Sequence, residues 1–587
     1  MTEDGDRRAP LHPDHRFIPL SGHRAPFTLL TNKTGDNDYL TVSCQFVRVP
    51  SMHACLQVDE IVRIIAYELV SSQGRTSAVA LACCCRSFED PALDALWETQ
   101  HLLTPLLKTF PEDVRNEGDS ECNVSAQATY VVSSLNYFTR KYFKRLPTSQ
   151  ELARFRKYAG RMRDFSDTGS LDDLSPEVFL VLQRFSFNEP LLPNLKTLQL
   201  WSATVDFAPF ILLFISPGTS RINIIFETYN LSIALIASVI TIFPARCPNL
   251  QHIGLHSLPR DPMITNAVSE LLLTTNRNTL RTFDVDSPLT EEARGVVHRL
   301  PDLRYLTVVT GGGTSLPSLM LPSLTKLLII EHDHDHDWLD WMEMFYGATL
   351  GKLETVNFAP ESEQIGDFLG AFERAALAAS VQNALSNFVL YTRYSWDPKL
   401  SSLLSFTQMK TLSIHFPCDR GCYLRVGDDD IINLARAMPE LEILRLGDRP
   451  CRRIPTGVTA KGLAVLAHHC PNLSVLCIHF QVASLTLPPA TFSMTPKTEP
   501  AVLLRGCALK DLTVGEIPIP EQSVLMVALT LVRIFPRIEN VIYDDAGWQK
   551  VRNVIYLSNQ VANCSSKQHP FATCWGNLKD ASSGAIL

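Results

Sequence analysis

Short segments with one spacing of apolar residues recur between about residue 195 and residue 543. Eleven segments have the form Leu-x-x-Leu-x-Leu or a close variant, and most of them begin with proline. Consecutive segments start 21 to 36 residues apart, except for two steps of 55 and 56 residues. A recurring step of this length is typical of a solenoid, in which every unit adds one supersecondary element. The segments are PNLKTLQL ending at Leu200, PNLQHIGL at Leu255, TLRTFDV at Val285, PDLRYLTV at Val308, PSLTKLLI at Ile329, KLETVNF at Phe358, MKTLSI at Ile414, PELEILRL at Leu446, PNLSVLCI at Ile478, LKDLTV at Val514 and PRIENVIY at Tyr543.

Each of the two long steps contains a weaker copy of the pattern. These copies are Ile222–Phe226 and Leu385–Leu390, which bring the array to about 13 units. Helical segments lie between the strands. In DDDIINLARAM, for example, three aspartates precede an apolar face of Ile431, Leu434 and Ala435. One strand and one helix cannot bury their apolar sides alone, whereas stacked units share a continuous core.

This arrangement resembles the leucine-rich-repeat proteins. The resemblance implies an α/β fold with parallel strands on an inner, concave wall, helices outside and leucines between the two layers. Because strand residues alternate between the two faces, the residues between and just after the leucines should face solvent on the concave wall. Arrays of this kind usually bind a partner there.

The residues predicted for the concave wall are a mixture of aromatic and charged groups, which suits protein recognition. A solvated sheet face without a ligand is the alternative. The predicted target-binding residues are Trp201, His252, His256, Asp284, Asp286, Tyr305, Lys326, His415, Arg445, His479 and Asp511.

The residues from Val58 to about residue 100 show helical periodicity. An apolar stripe made by Val58, Ile61, Val62, Ile65 and Leu69 predicts a first helix. A second stripe contains Leu81, Cys84, Cys85 and Phe88, so the cysteines are expected to pack between helices. Asp90 as N-cap and Pro91 as first helical residue predict the start of a third helix.

These three helices resemble the F-box motif, through LQVDEI, the Ala- and Cys-rich helix, CRSF and LDALW. The order of an F-box and later repeats is similar to F-box-like proteins of fungi, with Gln57 standing where the family usually has proline. The resemblance implies a substrate-receptor subunit of a cullin-RING ubiquitin ligase, which binds the adaptor and cullin scaffold through the F-box and a protein target through the repeats. The implied adaptor-binding residues are Leu56, Ile61, Ile64, Leu81 and Phe88. The alternative is a scaffold whose N-terminal helices only cap the solenoid.

Composition and motifs argue against nucleic-acid binding, membrane insertion and catalysis. A net charge of -8 argues against general binding to nucleic acid or anionic membranes, and the longest apolar run, Leu231–Phe243, is too short to span a bilayer. No motif of a hydrolase, metalloprotease or redox enzyme stands in a supporting context, so we expect neither catalysis nor a cofactor. An odd number of cysteines, 15, and the absence of a secretory signal favour the cytoplasm or the nucleus.

Three segments of unusual composition are interpreted as structural rather than as binding sites. Cys83, Cys84 and Cys85 point in three directions on a helix and cannot converge on one metal ion. The segment EHDHDHDW at 331–338 is interpreted as a solvated loop, with adventitious metal binding as the alternative. The basic segment 140–163 has aromatic residues at helical spacing, which favours core packing over binding to RNA or an acidic partner.

The patterns divide the chain into five regions. They are an irregular N-terminal arm (1–50), an F-box-like helical module (51–104), a helical linker (105–188), a leucine-rich-repeat solenoid (189–547) and a C-terminal cap and tail (548–587).

Overall fold

A computed structural model gives the fold of the chain. It describes residues 58–116, 142–167, 169–186, 189–204, 206–227, 231–275, 278–297, 299–310, 318–331, 345, 348, 350–359, 368–392, 400–415, 426–447, 457–485, 507–515, 518–543 and 546–566. The chain divides into two compact units, with the division between Leu96 and Trp97.

The second unit is built on a 15-stranded, all-parallel sheet in which the strands follow one another in chain order. A separate antiparallel pair consists of the second and third strands of the chain. The strands are β1 (Thr99–Gln100), β2 (Arg115–Asn116), β3 (Tyr142–Phe143), β4 (Asp164–Asp167), β5 (Thr197–Ala203), β6 (Arg221–Phe226), β7 (His252–His256), β8 (Thr282–Val285), β9 (Tyr305–Thr310), β10 (Lys326–Glu331), β11 (Thr355–Ala359), β12 (Asn387–Tyr391), β13 (Thr411–His415), β14 (Ile443–Leu446), β15 (Val475–Cys477), β16 (Asp511–Gly515) and β17 (Asn540–Tyr543).

Helices precede the sheet and alternate with most of its strands. They are α1 (Asp59–Glu68), α2 (Arg75–Cys84), α3 (Arg86–Glu98), α4 (Thr104–Leu107), α5 (Ser149–Ala159), α6 (Pro176–Ser186), α7 (Ile211–Phe214), α8 (Ile233–Arg246), α9 (Pro262–Thr274), α10 (Glu291–Val297), α11 (Phe368–Ala378), α12 (Asp428–Ala437), α13 (Ala460–His469), α14 (Val482–Leu485), α15 (Val524–Ile534) and α16 (Ala546–Ser566).

All thirteen strands predicted from the repeats, including the two weaker copies, are confirmed as β5–β17. Their apolar positions point into one core: Leu327 and Ile329 of β10 are fully buried, whereas Leu328 between them is half-buried. Buried residues form a continuous cluster from Leu103 to Ile555, because each unit covers the apolar side of its neighbour.

The helices predicted between the strands are also present. The apolar run Leu231–Phe243 lies largely in α8, where Ile236, Ile240 and Phe243 are buried. Helix α12 buries Ile431, Leu434 and Ala435, as its periodicity indicates. Within the described ranges, no helix combines the length and the apolar character that crossing a bilayer requires.

Part of the basic segment 140–163 forms the amphipathic helix α5, as its aromatic spacing predicts, whereas Tyr142 and Phe143 form strand β3 instead. In α5, Phe155 is buried and stacks on Phe110, with 5.2 Å between the ring centroids. The ring centroids of Tyr158 and Trp97 lie 4.8 Å apart. Charged residues of the segment remain at the surface, where Arg145 binds both Asp113 and Glu151.

The first unit contains the three predicted helices, but the predicted start of the third is wrong. Cys85 is extended, with φ of -161° and ψ of 163°, so α2 ends there and α3 begins at Arg86. Pro91 therefore lies inside α3 and cannot donate the helical hydrogen bond to Ser87. The buried residues of this unit include a small cluster of Ala66, Ala92 and Ala95.

Candidate protein-binding face

Strand register aligns side chains into rows on the face of the sheet opposite the leucine core, which we call the open face. The first residues of neighbouring strands are direct partners: Arg221 with His252, His252 with Thr282, and Lys326 with Tyr305. The next open-face row contains Asn223, Gly254 and Asp284. Because neighbouring parallel strands lie about 4.8 Å apart, side chains within a row are close enough to act together.

Seven of the predicted target-binding residues come together on this face, between β5 and β10. They are Trp201, His252, His256, Asp284, Asp286, Tyr305 and Lys326. The other four lie farther along the sheet, at or next to β13–β16: His415, Arg445, His479 and Asp511. The first group spans five strands, β5 and β7–β10, and the second spans the four strands β13–β16.

His252 is the centre of a positively charged group. Arg221 Nη2 lies 3.3 Å from His252 Nε2, and His252 Nδ1 lies 2.8 Å from Thr282 Oγ1. Burial, followed by the positive charges of Arg221, Arg281 and Arg304, lowers the pKa of His252. A neutral imidazole accepts from Arg221 through Nε2 and donates to Thr282 through Nδ1, so the ring holds the guanidinium in place.

A carboxylate group lies in the next row. Asp284 Oδ1 accepts a hydrogen bond from Thr307 Oγ1 at 2.6 Å, and Asp284 Oδ2 lies 3.8 Å from His256 Nε2. Burial, and then the charge of Asp284, raises the pKa of Tyr305 to about 12. Tyr305 is therefore a neutral phenol at physiological pH, and the ammonium group of Lys326 lies 4.6 Å from the centroid of its ring.

Asp286 has a structural role in the turn after β7. Its carboxylate accepts hydrogen bonds from the backbone N–H groups of Ser257 and Leu258, the second at 3.1 Å. Ser257 has a φ of 56°, in the left-handed region that a non-glycine residue rarely occupies. The two hydrogen bonds stabilise this conformation. Asp286, which follows β8, therefore helps to fix the turn after β7 at the edge of the open face.

Two exposed aromatic side chains offer apolar contact area on the sheet. Trp201 near the end of β5 is 56% exposed, and Tyr391 at the end of β12 is 48% exposed. Tyr391 stacks on His415 of β13, with 4.6 Å between the ring centroids and 13° between the planes. Large aromatic side chains of this kind are enriched among the residues that dominate protein–protein binding energy.

The adaptor-binding residues implied by the F-box resemblance have different environments. Ile64 in α1 is 68% exposed, Ile61 and Leu81 are half-buried, and Phe88 is buried. Leu56 lies outside the described residues. Val79 in α2 is also exposed, at 49%, so this unit presents apolar side chains from two of its helices.

The expectation that the adjacent cysteines pack in the core is wrong. Cys83 and Cys84 are exposed and Cys85 is half-buried, because α2 turns Ala78 rather than the predicted stripe inward and ends before Cys85. Among the described residues, no group of three His, Cys, Asp or Glu side chains could hold a metal ion. The histidines of EHDHDHDW lie outside the described residues.

Sequence reasoning missed Arg221 and Asn223 on the open face. Both belong to β6, whose sequence RINIIF lacks the leucines of the template, although its alternation would have placed these two side chains outward. No model of a known protein family matches the chain, and no curated protein sequence is significantly similar to it.

Proposed function

We propose that the protein is a substrate-receptor subunit of a cullin-RING ubiquitin ligase, with an F-box-like N-terminal unit and a leucine-rich-repeat solenoid. The first unit binds the adaptor that connects it to the cullin scaffold. The open face of the solenoid binds a protein target. Such a receptor acts by raising the effective concentration of the target near the conjugating enzyme, and this needs rigid geometry rather than catalytic side chains.

The observation that carries the proposal is the continuous open face of the parallel sheet. Its rows combine aromatic, cationic and acidic side chains between β5 and β10, where Trp201 is 56% exposed. Mixed surfaces with exposed aromatic anchors are characteristic of protein recognition. This supports a binding function for the sheet.

One feature of the N-terminal unit supports adaptor binding over a simple capping role. Ile64 in α1 is 68% exposed and Val79 in α2 is 49% exposed, and exposed large apolar side chains commonly mark an interface.

The test is capture of the purified adaptor subunit by the full-length chain and by Ile64→Asp. We expect the wild type to bind and Ile64→Asp to lose at least about 100-fold in affinity, because an unpaired carboxylate would be buried in the interface. Leu180→Asp is the matched control, since Leu180 is an exposed leucine of α6 in the second unit. It should bind the adaptor like the wild type.

Two results would count against the receptor proposal. Either the wild type captures no adaptor, or Ile64→Asp captures it with wild-type affinity. The scaffold alternative, in which the N-terminal helices only cap the solenoid, would then be favoured.

A further inference from the structure

Four cationic side chains lie at the amino ends of β6–β10, at two consecutive register positions, and we call them together the basic row. Arg221 and Lys326 are the first residues of β6 and β10, and Arg281 and Arg304 immediately precede β8 and β9. Strand hydrogen bonds place three of them on adjacent strands, since Arg304 N donates to Arg281 O at 2.7 Å and Lys326 N donates to Arg304 O at 2.9 Å. Arg221 Nη2 lies 3.3 Å from His252 Nε2 on the strand between β6 and β8. Arg221, Arg281 and Arg304 are exposed to solvent.

The arginines of the basic row have no ion-pair partner among the described residues, since no carboxylate there lies within ion-pair distance of Arg221, Arg281 or Arg304. The nearby carboxylates have other partners. Asp284 accepts from Thr307, and Asp286 accepts from backbone N–H groups of the preceding turn.

At the position just before each strand, which Arg281 and Arg304 occupy, the other half of the sheet shows a different charge pattern. Residues just before β11–β17 include cations and carboxylates together: Glu354, Lys410, Glu442, Lys510 and Glu539. Lys410 and Glu442 on neighbouring strands form an ion pair of 3.2 Å. The charged residues just before β5–β10 are therefore all cationic, whereas those just before β11–β17 have both signs.

The basic row has the dimensions of a short extended peptide. Five neighbouring strands at about 4.8 Å spacing span about 19 Å, which an extended chain covers with about six residues. Guanidinium groups bind carboxylates and phosphates through paired hydrogen bonds, so acidic and phosphorylated side chains are the ligands that suit this row.

We infer that the basic row binds an extended segment of the target protein that carries several negative charges, either carboxylates or phosphates. The inference rests on the proposed function of the open face as the target-binding surface. A peptide is favoured over single-stranded RNA because RNA-binding surfaces need exposed aromatic platforms for base stacking. Tyr305 beside the row is half-buried and has Lys326 over its ring, and the exposed Trp201 lies on β5, outside the row.

The experiment measures fluorescence anisotropy of labelled peptides of about eight residues with the full-length protein. One peptide is rich in Glu, a second carries phosphoserines, a third has unmodified serines and a fourth has Gln in place of Glu. We expect the Glu-rich or the phosphoserine peptide to bind, and the stronger of the two identifies the source of the charge. Binding should weaken steeply with salt, and the neutral peptides should bind at least about tenfold more weakly.

The variant Arg281→Gln/Arg304→Gln should lower the affinity at least about tenfold, because two unpaired guanidinium groups are removed. Lys510→Gln is the matched control, since Lys510 occupies the corresponding position before β16. It should change the affinity less than about twofold. The melting temperature of each variant reports whether the sheet remains folded.

The inference is overturned if no charged peptide binds at concentrations up to about 1 mM, or if the double variant binds as the wild type does. Binding of a labelled single-stranded RNA in place of the peptides would overturn it in favour of a nucleic-acid ligand. Peptide binding needs no adaptor. A protein that binds the adaptor but no peptide therefore contradicts this inference alone, whereas one that binds the peptide but no adaptor contradicts only the receptor proposal.

Discussion

At the scale of single residues, Gly254 shows how closely the open face is packed. A Cβ atom at this position would lie 2.7 Å from Asn223 Oδ1 and 3.3 Å from His256 Nε2. Asn223 Oδ1 is buried and has no hydrogen-bond partner among the described residues. The side chains of β6 and β7 therefore occupy the space above the glycine, and they are held there by packing.

Gly254→Ala should destabilise the protein by about 1–3 kcal/mol, because the added methyl group displaces Asn223 into its neighbours. Gly295→Ala is the control, for which we expect a higher free energy of unfolding instead of a lower one. Gly295 lies in α10, and an added Cβ would meet no side chain or neighbouring element within 4 Å, so alanine should stabilise the helix by about 0.5–1 kcal/mol. Urea unfolding of both variants measures the difference, and equal stability of the two would show that the face accommodates the methyl group.

At the scale of helices and strands, neighbouring units stabilise one another through helix capping. Asp428 in the first turn of α12 accepts from Thr459 N at 2.7 Å, Thr459 Oγ1 at 2.6 Å and Gly462 N at 3.1 Å. Thr459 is the N-cap of α13, one unit later. A carboxylate of one unit thus satisfies backbone donors at the start of the next helix.

Asp428→Ala should lower the free energy of unfolding by about 1–2 kcal/mol, because the first turn of α13 loses these acceptors. Asp429→Ala removes a charge from the same turn of α12, but Asp429 is exposed, so its effect should be within about 0.5 kcal/mol. Urea unfolding monitored by circular dichroism compares the two. Equal losses would assign the effect to the charge at the start of α12 rather than to the cap of α13.

The strands differ in how well their sequences predict them. The thirteen strands β5–β17 were predictable because alternating apolar residues follow a repeated spacing. β4 was not predictable, because Asp167 in its sequence DFSD is of a residue type that is typical of loops. Asp167 is nevertheless fully buried, and it accepts from the backbone N–H groups of Gly169 at 2.8 Å and Leu171 at 3.3 Å. These hydrogen bonds offset the burial of the carboxylate, but they form only in the folded turn, so the residue pattern does not predict them.

The candidate site was predictable to a similar extent. Alternation placed His252, Tyr305 and Lys326 on the open face, because it fixes which side of a strand a residue occupies. It did not indicate that Asp286 would bind a turn of the neighbouring unit, nor that Arg281 and Arg304 would act on His252. Those relations cross from one unit to the next and depend on strand register, which the sequence alone does not specify.

At the scale of the whole second unit, stability depends on closing the end of the array. The continuous core extends to Trp548, Val551 and Ile555 of α16, the last described helix. Trp548 is fully buried and lies edge-on to Phe480, with 6.1 Å between the ring centroids. β17 is the last strand of the sheet, so its outer edge has backbone groups without a strand partner in the described part of the chain.

Truncation after Tyr543 removes α16 and should expose both the end of the core and the outer strand. We expect this chain to melt at a lower temperature and to self-associate, because the loss of one buried tryptophan alone costs about 3–5 kcal/mol and an open strand edge pairs with other chains. Truncation after Asn577 keeps the whole of α16 and should leave the melting temperature unchanged. Thermal unfolding and sedimentation velocity of the two chains provide the comparison. If the chain ending at Tyr543 stays monomeric and has the same melting temperature as the full-length protein, α16 does not close the array.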